Sequence, residues 1–203
     1  MGNEAERRET HTLMMVHEFI RCENAFEEFA RRGKEQIILG DTPERSFGLY
    51  DSYTRFLHHL YEFLKECAEN DLSKEYVKQF KGNERHKPID LYIHSQTSKV
   101  LRNRKEAILN GTAPSWENSL QSFPENVPMD FPIRLRTIRN HTFGHIGKHR
   151  HSQDLTEFYR EYHKYVYMIY FGCKSWWGRN GRPLPDLGPI TSFSIAIRRN
   201  PPE

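Results

Sequence analysis

Four stretches of this chain place apolar residues about three and four positions apart, a period that commits much of its length to helices each burying one side. From 4 to 32 the stripe is Met15, Phe19, Cys22, Phe26 and Phe29. From Pro43 to Asn70 it is Leu49, Tyr53, Phe56, Leu60, Phe63 and Cys67, with Pro43 suited to a first helical turn. After the break KGNERHKP, a third helix is expected over Pro88 to Leu109, stopping at Asn110-Gly111. A fourth starts near Phe131, turns Leu135, Ile138, Thr142 and Ile146 inward, and weakens at Gly144 and Gly147. A fifth runs from Ser152 to Trp177 through Leu155, Phe158, Tyr162, Val166, Ile169 and Cys173, with Ser152 or Asp154 as its cap.

The segment 111 to 132 has four prolines and no helical period, and is expected to dock as an irregular piece through Trp116 and Phe123. Beyond GRNGRPLPDLGP, the run ITSFSIAI alternates Phe193, Ile195 and Ile197 with small residues, which predicts a short late strand. The fold class is therefore all-α: an up-and-down bundle of four to five helices with a proline-rich connector, a helical domain over 1–177 and a C-terminal extension over 178–203. Aromatic residues make up 13% of the chain, so its core should be rich in rings.

No apolar run approaches the roughly 20 residues that span a bilayer. The longest is YVYMIYFGC at 165 to 173, and the opening MGNEAERRE is too polar for a signal peptide, so a cytoplasmic protein without membrane contact is expected. Cys22, Cys67 and Cys173 each fall on an apolar stripe, as buried thiols would, rather than in a disulfide or zinc pattern.

A net charge of +3 says little about partners, but its distribution says more. Between Phe131 and Gln153 stand Arg134, Arg136, Arg139, Lys148 and Arg150 with His141, His145, His149 and His151, and no Asp or Glu. Three readings compete for this stretch. His141, His145 and His149 are four apart, as zinc ligands on a helix can be, yet no acid stands by to orient them and the arginines would repel a dication. A solvated basic surface is the plain alternative, and the simpler one for His149 and His151. The third is phosphodiester chemistry, in which imidazoles exchange protons near neutral pH and a guanidinium grips phosphate oxygens, with no acid to repel the substrate.

Ile138-Arg139-Asn140-His141-Thr142-Phe143-Gly144-His145 resembles the signature of HEPN domains, an arginine followed by a polar residue and closed by a histidine after four to six intervening residues, five here. The isoleucine before Arg-Asn and the small Gly144 before the last histidine are most similar to the abortive-infection type of that family. Arg136 to His141 and Arg134 to His141 also satisfy the bare pattern; the adjacent Asn140, Gly144 and the helix order single out Arg139 to His145. The resemblance covers about residues 10 to 177. It departs from a common toxin subgroup, which has a tyrosine two residues past the motif histidine where this chain has Gly147.

The resemblance implies a metal-independent endoribonuclease without cofactor, acting in phage defence or as a toxin, as a homodimer whose two motifs share a cleft, with an antitoxin or regulatory partner. Its catalytic residues would be Arg139, Asn140, His145 and, as a second acid or base, His141. Arg134, Arg136, Lys148 and His149 would follow the RNA backbone. The rival is a module that keeps the bundle, has lost the chemistry, and binds RNA or a partner protein. An ideal helix turns about 600° over six residues, so Arg139 and His145 cannot share a face unless the helix loosens near Gly144 or the site lies in a groove between helices.

Overall fold

The first two stripes become the longest helices, α1 (Glu4–Leu39) and α2 (Pro43–Asp71), in a computed structural model that describes residues 4–144, 155–178, 184 and 188–199. Their tight link is set locally. Gly40 takes φ 73°, Thr42 caps α2 by accepting from the Arg45 amide, and the Arg45 guanidinium donates to the carbonyls of Leu39 and Gly40 that end α1. The two helices therefore run antiparallel. Glu18 of α1 meets His59 of α2 at 2.7 Å and His11 meets Glu66 at 2.7 Å. Burial alone would raise the Glu18 carboxyl, but the bond and charge from His59, helped by Arg21, hold it below its usual value.

After a short α3 (Lys74–Lys78) and a 3₁₀ turn at Gly82–Glu84 come α4 (Lys87–Leu109), α5 (Phe131–Arg139), α6 (Leu155–Trp177) and α7 (Gly188–Arg199). The stripes of α1, α2 and α6 meet in a core of rings. Phe19, Phe56 and Tyr170 are fully buried; Phe19 lies 4.8 Å edge-on from Phe63 and Phe56 lies 5.2 Å from Tyr170. Each such side chain contributes about 1.5–3 kcal/mol by leaving water. Where α4 crosses α6, a Cβ on Gly172 would come within 2.7 Å of the Val100 side chain, so only glycine admits this approach.

Two expectations are corrected. Trp116 is 85% exposed and does not anchor the connector. Val127 is buried instead, Phe123 packs on the core edge, and polar bonds finish the docking: His94 to the Val127 carbonyl, Tyr165 to the Asn126 carbonyl, Lys105 to the Glu125 carbonyl and Arg104 to Glu117. The late run is a helix, and no strand occurs among the described residues. Ile190, Phe193 and Ile197 satisfy helical spacing as well as Phe193, Ile195 and Ile197 satisfy alternation, and Pro189 in the first turn favours the helix.

The three cysteines are free; Cys22 is buried, and burial pushes all three thiols up, Cys173 to about 12. They are protonated packing groups at neutral pH. No helix among the described residues is long and apolar enough to cross a membrane.

Candidate functional site

Arg139 is the last residue of α5, and Asn140 opens a π-helical turn that runs to Gly144. The helix thus loosens on the approach to Gly144, the first of the two glycines that weaken the pattern, and turns of this kind concentrate at functional positions. Thr142 is buried and returns its hydroxyl to the Ile138 carbonyl at 2.7 Å, which ties the turn to α5. His145, Lys148 and His149 lie outside the described residues.

The Arg139 side chain is 27% exposed and held from three sides. One terminal nitrogen donates to Asn140 Oδ1 at 2.8 Å, the other donates to Glu62 of α2, and the guanidinium carbon lies 5.6 Å above the Tyr61 ring. Its buried Nε finds no hydrogen-bond partner among the described residues. Asn140 therefore orients the guanidinium, and each terminal nitrogen keeps a second N–H beyond those spent on Asn140 and Glu62.

The stretch is free of acids in sequence but not in space, which corrects the expectation of an uncompensated cationic cluster. Glu62 pairs with Arg139, Asp90 of α4 takes the Arg136 fork through bonds of 2.9 and 3.1 Å, and Asp130 stands 3.8 Å from Arg134. Arg136 is 21% exposed and Asp90 11%, so this pair is a structural tie between α4 and α5. Arg134, 57% exposed on α5, keeps a solvent-facing guanidinium.

Sequence reasoning missed the face that α2 contributes. His58 stands one turn before Glu62, the four-residue spacing that puts two side chains on one helical face, and its ring lies 5.2 Å from that of His59. Burial, and then the Arg139 charge, lower the affinity of His58 for a proton, so it is a neutral imidazole beside the guanidinium at pH 7. His86, at the start of α4, is lowered by burial and then by Arg136. The available signal was a run of polar groups, His58, Glu62 and Glu66, four apart on a helix otherwise rich in rings. His141 is half-buried on the π turn. Among the described residues no three His, Cys, Asp or Glu side chains converge as a metal site requires.

Comparison of the chain with models of protein families, with curated proteins and with solved structures finds no match.

Proposed function

We propose that the chain is a metal-independent endoribonuclease of HEPN type. The observation that carries this reading is the fixed Arg139 guanidinium, oriented by Asn140 at the entrance to the turn that leads to His145. In the proposed reaction a histidine takes the proton of a ribose 2′-hydroxyl, the 2′-oxygen bonds to phosphorus, and the P–O5′ bond breaks. The departing 5′-oxygen takes a proton from a second imidazole, leaving a 2′,3′-cyclic phosphate and a 5′-hydroxyl. His145 serves as one acid or base and His141, or the second copy's motif in a homodimer, as the other. Arg139 stabilises the charge that grows on the phosphate oxygens. Arg134, Lys148 and His149 face the backbone in this reading; Arg136, spent on Asp90, is left out. Phage defence or a toxin role, with an antitoxin or regulatory partner, is the setting that the motif suggests.

One observation favours a second reading, a module that binds RNA or a protein without cutting: Glu62 already neutralises Arg139 and would compete with a phosphate. Purified full-length protein incubated with single-stranded RNA in excess EDTA separates the two. The enzyme should cut, while His145→Ala and Arg139→Lys, still folded by circular dichroism, should each lose about 100-fold or more in rate. No cutting by the unaltered protein, or equal cutting by His145→Ala, would reject the enzyme.

A further inference from the structure

Helix α6 carries five tyrosines that divide into two sets. Tyr162, Tyr165 and Tyr170 are buried, the first two with hydroxyls bonded to Asp130 and to the Asn126 carbonyl. Tyr159 and Tyr167 are 43% and 45% exposed, and their hydroxyls have no hydrogen-bond partner among the described residues. With His163 between them they stand four apart on one edge of the helix. Tyr159 stacks on His163 at 4.4 Å and 21°, His163 lies 5.9 Å from Tyr167, and Tyr167 lies 4.4 Å from Phe171. This is a continuous row of rings, half open to solvent.

The row forms one wall of a groove of about 550 Å³ whose other wall is the docked connector, at Ser122, Phe123 and Pro124. Its charge is positive. Arg160 and Lys164 line it; Arg160 is exposed and carries no ion pair among the described residues. The acid in its lining, Glu117, is bonded to Arg104, and Glu157 and Glu161 of the same helix are not part of it. His163 is hydrogen-bonded to the Tyr53 hydroxyl at 3.1 Å, and burial lowers it to about 4, so the ring that backs Tyr159 is neutral.

We propose that this edge of α6 is a binding track for single-stranded RNA, with bases stacking on Tyr159 and Tyr167 and phosphates following Arg160 and Lys164. The assignment rests on the reading that the chain acts on RNA. Exposed rings beside cations that carry no ion pair among the described residues match a flexible polyanion with planar bases better than they match an apolar peptide, and stacking of this kind tolerates any base. A duplex hides its bases and would gain only the charges.

The test is binding of the full-length protein to a labelled 2′-O-methyl uridine dodecamer, which lacks the attacking hydroxyl and so survives the assay, beside an RNA duplex of equal length. The track predicts preference for the single strand and about tenfold weaker binding for Tyr167→Ala. Tyr167 also touches Phe26 and Phe171, so the exposed pair Arg160→Glu with Lys164→Glu guards against loss of fold; it should abolish most binding and flatten its salt dependence. Unchanged affinity in both variants overturns the track. So does unchanged affinity coupled to dissociation of a dimer in sedimentation, which would make the edge a protein interface. If the variants lose binding while unmodified RNA is never cut, the track stands and the ribonuclease falls; if RNA is cut and both variants bind normally, the reverse holds.

Discussion

At position 139 a single guanidinium meets an amide oxygen, a carboxylate and an aromatic face, and only the first neighbour is adjacent in sequence. The sequence therefore showed one of these neighbours and hid the other two: the local string supplies Asn140, and the folded chain supplies Glu62 and Tyr61. His163 gives the sharpest prediction at this scale. Burial lowers it from 6.5 to about 4, so the unfolded chain takes up a proton below pH 6.5 that the folded chain refuses until about pH 4. The corresponding stability is fully present above pH 6.5 and declines as pH falls toward 4, by on the order of 2–3 kcal/mol for this half-buried ring. His163→Phe keeps a ring in the row and removes the proton. Urea midpoints measured from pH 7.5 down to 4.5 should therefore fall less steeply for the variant than for the native chain, and equal slopes would contradict the assignment.

Elements read best from the sequence where one face is simply apolar. The stripe of α2 was visible from Leu49 to Cys67, and its rings from Tyr53 to Phe63 are buried as the period requires. The same period says which side a helix buries but not which helix it meets, so the pairing of Asp90 with Arg136, 46 residues apart, was invisible. The run at 190 to 197 fails for a different reason: it is too short for its period to be unique, and a proline in the first turn decided it. The Asp90 tie has a measurable consequence. Asp90→Ala leaves a largely enclosed guanidinium without its partner and should cost about 3 kcal/mol in chemical denaturation, whereas Asp90→Leu with Arg136→Met should recover most of it. An effect below about 0.5 kcal/mol for Asp90→Ala would place the pair among weak surface contacts.

For the whole molecule, the fold sets α5 and its π turn against α2 and α4, which sends the last arginine of a basic helix to a partly buried position beside the neutral imidazole of His58. The motif supplies one histidine, so the proposed reaction, which needs two imidazoles, draws on His141 or on a second copy. Sedimentation of the native chain should accordingly show a dimer under conditions in which it cuts. The central claim is tested most directly by the chemistry of the ends. RNA incubated with the protein in excess EDTA should gain fragments whose 3′ ends are 2′,3′-cyclic phosphates and whose 5′ ends are hydroxyls, with none from His145→Ala. No new ends, or 3′-hydroxyl and 5′-phosphate ends that arise only when a divalent metal is restored, would contradict it.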